Sequence, residues 1–293
     1  MIVTVASGKG GTGKTTVTVN LAVIAAKEGV EVFDCDVEEP NAHLFVKPHN
    51  VLTEEVSTMI PAVDMELCTL CGECEKICQF SAITLIAKKI MIFPEMCHSC
   101  KGCSMVCPTG AVQESSRTLG SLLSGESSRG FNLTWGELRV GEAMSPPLIK
   151  QVKERIHPDR FALVDAPPGT SCPAVATLRD SDFALLVAEE TPFGLNDLAL
   201  TVEALKKLDV PMGIVINRAD GEKGIIDKYA DQESIEVMQR IPFSREAAKV
   251  CAKGLFLVDE IPQMKALFEE LYLKIISKAG SGRREIDQRE VMK

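Results

Sequence analysis

Unbroken apolar runs of strand length alternate with helix-period runs along most of the chain. Ile2–Ala6 is the first such strand, and Val17–Lys27, which follows it, repeats its apolar positions at helical spacing. Val30–Cys35, Phe161–Asp165, Phe183–Ala188 and Met212–Ile216 read as further buried strands, with a helix over Gly194–Lys207 between the last two. Strand and helix taken in turn predict an α/β fold with a doubly wound, mostly parallel sheet. The period breaks in the middle of the chain. Residues 42–60 read as a connector of mixed polarity, and 113–130, rich in Ser and Gly, as a loop. Ala82–Ile86 and Lys89–Phe93 alternate as two short strands. Phe131–Trp135 and Glu137–Val140 read as a hairpin around Gly136, with Trp135 in an ordinary half-buried strand position or against a neighbouring module. Pro146 and Pro147 open a helix ending near His157. The last helix, about Pro262–Lys278, is amphipathic. Its polar face mixes Glu269 and Glu270 with lysines, so core packing fits it better than a membrane surface; from Gly280 onward the chain reads as disordered.

Composition narrows the classes. A chain of 293 residues that is 45% hydrophobic can hold one large domain and a small one. A net charge of −9 without a clustered basic block argues against nucleic acid. No apolar run has membrane-spanning length, and a strand beginning at residue 2 leaves no room for a signal peptide, so a cytoplasmic protein is expected. Eleven cysteines are then better explained by metal than by disulfides.

Two motifs carry the chemistry. Ser7-Gly8-Lys9-Gly10-Gly11-Thr12-Gly13-Lys14-Thr15-Thr16, between strand and helix, fits the phosphate-binding loop. Its N–H groups and the helix N-terminus are suited to phosphate oxygens; Lys14 would reach the β- and γ-phosphates, and Thr15 would hold Mg²⁺. Asp165, closing an apolar strand, is the expected partner of such a loop, holding Mg²⁺ through water. The second motif is Cys68-x2-Cys71-x2-Cys74-x3-Cys78, followed by Cys97-x2-Cys100-x2-Cys103-x3-Cys107-Pro108. This resembles the bacterial ferredoxin run, twice, and implies two [4Fe-4S] clusters. In such proteins the fourth cysteine serves the other cluster. One set is then Cys68, Cys71, Cys74 and Cys107; the other is Cys97, Cys100, Cys103 and Cys78. Gln79 stands where the run usually has proline. Paired four-cysteine zinc sites are the alternative. His98, inside the second run, reads as a surface residue tuning the cluster.

Lys9, a second lysine inside the P-loop, is the mark of a narrower group. With Asp165-Ala-Pro-Pro-Gly-Thr170, the chain resembles the deviant P-loop ATPases, which include the MinD, ParA and Mrp proteins and the nitrogenase iron protein. The resemblance implies a P-loop ATPase from 1–60 and 113–293, with a small α+β ferredoxin-like domain inserted at 61–112. It implies that Gly8, Gly10, Gly11, Thr12, Gly13, Lys14, Thr15 and Thr16 cradle ATP, and that Lys9 reaches the phosphates across a dimer. Asp36 would position the attacking water, and Asp34 would support the magnesium shell. Gly169 would lie beside the γ-phosphate. Asn217, with Arg218 next to it, would read the adenine edge, and Pro242 belongs to the last base-contacting loop. Cys172 matches a cluster ligand of the nitrogenase iron protein in its interval from Asp165, without a second ligand; Cys35 and Cys251 read as structural. The expected activity is Mg-dependent ATP hydrolysis by a homodimer or a pair of related chains. It would be coupled to electron transfer toward a redox or iron–sulfur partner. An Mrp-like cluster carrier and a positioning ATPase with structural clusters remain as alternatives.

Overall fold

The computed structural model describes residues 1–290, with side chains to residue 279. Its strands are β1 (Ile2–Ala6), β2 (Glu31–Asp34), β3 (His49–Val63), β4 (Ile83–Ile86), β5 (Lys89–Ile92), β6 (Val112–Glu126), β7 (Asn132–Leu138), β8 (Ala162–Asp165), β9 (Phe183–Glu189), β10 (Met212–Ala219) and β11 (Val237–Pro242). Nine of them form one sheet in the order β11-β10-β9-β1-β8-β2-β7-β6-β3, and β4 and β5 form a separate antiparallel pair. From β11 to β7 every neighbouring pair is parallel. The helices are α1 (Lys14–Ala25), α2 (Ala42–Val46), α3 (Glu73–Ile77), α4 (Gly102–Met105), α5 (Pro146–Lys153), α6 (Cys172–Leu178), α7 (Pro192–Leu208), α8 (Ile225–Glu233), α9 (Arg245–Ala252), α10 (Leu257–Glu260) and α11 (Pro262–Glu290).

The expected double winding follows from two separate apolar cores. On one, Val17 and Leu21 of α1 and Phe268, Leu271 and Ile275 of α11 pack against Val3, Val5, Leu133 and Leu163. On the other, Leu198, Val202 and Leu205 of α7 and Ile226 and Ala230 of α8 cover Leu186, Ile214 and Ile216. Alternate residues of β9 and β10 enter the two cores, as the period-two geometry of a strand requires. The α11 helix is a core helix: Phe268 is 1% exposed, and the Tyr272 hydroxyl donates to Glu28 at 2.6 Å. It runs on to Glu290, past the point where the sequence reads as disordered; residues 291–293 lie outside the described residues. Among the described residues no helix is long and apolar enough to cross a membrane.

Three segments differ from the sequence reading. Residues 42–60 are α2 followed by β3, and the Ser/Gly segment 113–130 is mostly the 15-residue strand β6. Gly125 there serves close packing, whereas Gly130, at φ 84°, turns the chain after β6. A Cβ on Gly125 would press within 3.0 Å of Pro48 and the His49 carbonyl. Residues 131–140 are not a hairpin, because β7 runs straight through Gly136 and pairs in parallel with β2. Trp135 is 4% exposed on β7, stacks on His43 at 5.7 Å and donates its indole N–H to Glu137.

The chain forms two compact units. One comprises Met1–Thr53, Leu122–Glu137 and the chain from Ile149; the other comprises Glu54–Ser121 and Leu138–Leu148. Their boundaries fall inside β3, β6, β7 and α5. The second unit is wider than the stretch delimited by the cysteine runs. It holds the β4–β5 pair, a small core of Cys74, Ile83 and Val112, and the Arg117–Glu142 ion pair, whose carboxylate is fully enclosed.

Two consequences can be measured. Phe268→Ala should cost about 3–5 kcal/mol of unfolding free energy in denaturant titration; a loss under about 1 kcal/mol would deny α11 its core role. The second concerns the Asp227 carboxylate, which accepts the Gly224 N–H and pairs with Arg240. Burial pushes its pKa up, but the Arg240 guanidinium and that N–H outweigh burial and hold it below the ordinary carboxylate value. A depressed pKa adds stability above the unfolded value of about 3.9 and loses it as pH falls through the folded value. The Tm deficit of Asp227→Asn should therefore be full at pH 7 and shrink steadily below about pH 4. A deficit independent of pH would contradict this.

Candidate functional site

The C-terminal ends of β1, β8, β2, β9 and β10 place the site. Beyond β1 the chain turns through Gly11 (φ 78°) and Gly13 (φ 95°), conformations that side chains with a Cβ rarely adopt, and enters α1 at Lys14. Gly8 has no room for a Cβ, which would collide with the Asp197 carbonyl of α7. Gly10 and Gly11 are exposed, whereas Lys14 is 6% and Thr12 2% exposed. The Thr12 hydroxyl is buried with no protein partner, an orphaned polar atom at the place where phosphate oxygens are expected. The Thr16 side chain hydrogen-bonds the half-buried Cys251 thiol, whose pKa burial raises.

Thr15 donates its hydroxyl to Asp165 at 2.5 Å, and Thr18 lies 3.4 Å from the other oxygen of that carboxylate. The β2–β8 register sets Asp34 directly beside Asp165, and both are fully buried. Burial pushes both pKa values up; the Asp36 charge adds to the rise at Asp34, and the Asp34 charge adds to that at Asp165. Asp34 is nonetheless satisfied: its oxygens accept the N–H groups of Asp36, Asn41 and Ala42, each at 3.0 Å. It fastens the loop after β2. Asp36 is half-buried in that loop; burial raises its pKa to about 6, against the pull of Lys14. Asp36, Glu38 and Glu39 line a cleft with Pro167, Pro168 and Ser171 of the loop after β8. In that second loop Gly169, at φ 86°, donates its N–H to the Ser7 carbonyl at 2.8 Å. Cys172 is exposed at the start of α6. Cys35 is buried, and its thiol is pushed up by that burial.

Asn217 does more than the sequence suggests. Its amide N–H donates to the Thr12 carbonyl at 2.6 Å, and its amide oxygen accepts the Arg218 N–H at 2.9 Å. Both ends of the amide thus hold the P-loop and strand end, with one N–H and one oxygen lone pair left over for a base edge. Arg218 pairs with Glu189, and Lys9 lies 3.4 Å from the same carboxylate. Glu189 escaped the sequence reading, although an acid closing a buried strand was the signal that singled out Asp165. Pro242 pairs with Ala219 at the end of β11 and is exposed, as is Phe243 after it.

In the second unit the eight cysteines line two cavities. Cys68, Cys71, Cys74 and Cys107 line one, with Val63, Ile90 and Val112; Cys78, Cys97, Cys100 and Cys103 line the other, with Ile77, Phe80 and Ile83. The two runs repeat one backbone. Leu70 and Ser99, Gly72 and Lys101, and Gly110 and Ser81 all have positive φ at matching offsets. The first helix of each run starts at the same offset, with α3 at Glu73 and α4 at Gly102. Gln79 in place of proline leaves this repeat intact. Ala82 and Ser99 donate N–H groups to the sulfurs of Cys78 and Cys97, and His98 stacks on Phe80 at 3.5 Å. Among the described residues no group of three or more His, Cys, Asp or Glu side chains is gathered as for a single metal ion.

The CobQ/CobB/MinD/ParA nucleotide binding domain family matches residues 3–258. An uncharacterized ATP-binding protein of Methanocaldococcus jannaschii is 47% identical over 289 residues, 94% of this chain and 87% of that protein. An iron–sulfur cluster carrier protein of Pyrococcus furiosus is 27% identical over 312 residues, 96% of this chain and 88% of that protein. Among solved structures, the septum site-determining protein MinD of Pyrococcus horikoshii, complexed with Mg-ADP, superposes with a TM-score of 0.58. It is 19% identical, and the match covers 96% of this chain and 98% of that one, a likeness of fold. Glycine loop, strand order and family match agree: the chain belongs to the CobQ/CobB/MinD/ParA nucleotide-binding family, with its mostly parallel α/β P-loop fold.

Proposed function

We propose that this protein is an ATP-hydrolysing dimeric switch whose nucleotide state is coupled to electron transfer through two [4Fe-4S] clusters in a ferredoxin-like insert. The observation that carries the reading is the pair of cavities, each lined by four cysteines on a repeated backbone, in a chain of nucleotide-binding family. The donor set fits the groups. Eight thiols stand in two sets of four, in the crossed pattern of two-cluster ferredoxins, and two sulfurs already accept backbone N–H bonds. Left-handed Leu70, Ser99, Lys101 and Ser81 each cost about 1–2 kcal/mol in an isolated chain. Such strain persists where function requires the shape. When bound, the clusters would supply one-electron storage.

The chain's own residues divide the remaining work. Lys14 and the N–H groups at the start of α1 would hold the phosphates, and the unpartnered Thr12 hydroxyl sits among them. Thr15 and Asp165, already joined by a hydrogen bond, would form the magnesium seat, with Asp34 keeping the loop after β2 in place. Asp36 would orient the attacking water from the cleft between the two loops. Lys9 would reach the phosphates of a second copy. Asn217, Arg218 and the Pro242 loop would flank the base.

A second reading has its own support. The carrier protein of Pyrococcus furiosus aligns over nearly the whole chain, which favours cluster delivery as the task. Complete four-thiol sets favour retention.

Anaerobic protein should contain about eight iron and eight sulfide per chain, and reduced protein should pass electrons to an acceptor at rates that differ among ATP, ADP and no nucleotide. Equal rates in all three would end the coupling, and loss of labelled iron to an apo-acceptor during turnover would establish the carrier. Asp36→Asn should slow ATP hydrolysis by about 10²–10⁴-fold while leaving ATP binding within a few fold. An unchanged rate would remove Asp36 from the chemistry.

A further inference from the structure

Glu189 closes β9 at the same sheet edge as Asp34 and Asp165, and its side chain is 15% exposed. One of its oxygens lies 3.4 Å from the Lys9 ammonium, and the other takes the Arg218 guanidinium. The carboxylate stands on fixed backbone: its own carbonyl accepts the Thr191 N–H at 2.7 Å, and the Thr191 hydroxyl caps α7 at Gly194. The backbone of Lys9 is fixed as well. Ser7 donates its hydroxyl to the Lys9 carbonyl at 2.6 Å, and Gly8 is packed against the Asp197 carbonyl. Only the lysine side chain is free to redirect. It is 33% exposed, reachable from solvent and spoken for within its own chain.

A single ammonium cannot face this carboxylate and a second copy's phosphate together. We propose that Glu189 is a positioning residue that latches Lys9 inside its own protomer, so that nucleotide-driven pairing of two copies requires the latch to open. The inference rests on the proposed reach of Lys9 across the pair. A partly exposed ion pair of this kind favours the closed arrangement by about two- to fivefold. A symmetric pair opens two latches, so the factors multiply to about four- to twenty-fivefold in the pairing constant. That suits a switch. It discourages pairing without nucleotide and yields to a triphosphate, whose charge-assisted contacts are stronger.

The test is sedimentation equilibrium of the full chain with Mg²⁺ and a non-hydrolysable ATP analogue. Glu189→Gln should pair about four- to twenty-fivefold more tightly than the wild type at low salt. Glu189→Ala should shift in the same direction, and Glu189→Asp, which keeps the charge, should return toward the wild-type constant. The gain should fade near 1 M salt, where charges are screened beyond about 3 Å; a merely structural role for Glu189 would not show this salt dependence. If Lys9→Ala abolishes pairing while Glu189→Gln and Glu189→Ala pair no more tightly than the wild type, the latch is overturned and the reach of Lys9 stands. If Lys9→Ala pairs like the wild type, that reading falls and the latch with it.

Discussion

Two carboxylates lie side by side in the dry end of a parallel sheet, and much of the first unit can be understood as the answer to that constraint. The β2–β8 register leaves no choice: Asp34 and Asp165 are neighbours, and neither reaches solvent. Two like charges without water are unfavourable unless each is given hydrogen bonds or a cation. The chain answers differently at each. Around Asp34 the loop after β2 folds back and spends three N–H groups on it. Around Asp165 it offers the Thr15 hydroxyl, a more distant Thr18 hydroxyl at 3.4 Å and the charge of Lys14, but no backbone N–H. The first carboxylate is therefore consumed in holding a loop. The second faces the glycine loop, where a divalent cation is the partner the proposed chemistry would bring.

The second unit solves another problem with the same thrift. The core among its cysteines, Cys74, Ile83 and Val112, is small. Its two cysteine runs nevertheless repeat one backbone, left-handed residues included. Repetition of a strained form argues that the form itself is needed. Eight thiols facing two cavities would add cohesion on binding, since ligand binding to a folded site stabilises the fold.

The central strands and both motifs were legible because their signals are local. An apolar run ending in Asp or in a glycine loop says what it is without its neighbours. The edge of the sheet was not legible. Strand β6 is written in Ser, Gly and Leu, and β3 exposes His49 to Glu55 in unbroken succession, so neither shows a strand's alternation. Each becomes a strand because the other lies beside it, a tertiary cause that local propensity does not contain. The site followed the same division. Loop glycines, Lys14 and the cysteines stand at fixed spacings and could be read off. That Asp34 is absorbed by backbone N–H groups, that Asn217 fastens the P-loop and that Glu189 gathers Lys9 with Arg218 depend on strand ends meeting in space.

The unequal fates of the two buried carboxylates are tested most directly by ATP affinity measured with and without Mg²⁺. In the wild-type chain Mg²⁺ should tighten ATP binding, and Asp165→Asn should remove at least tenfold of that effect, about 1.4 kcal/mol, while leaving magnesium-free binding nearly unchanged. An Asp165→Asn chain with the full magnesium dependence of the wild type would contradict the account.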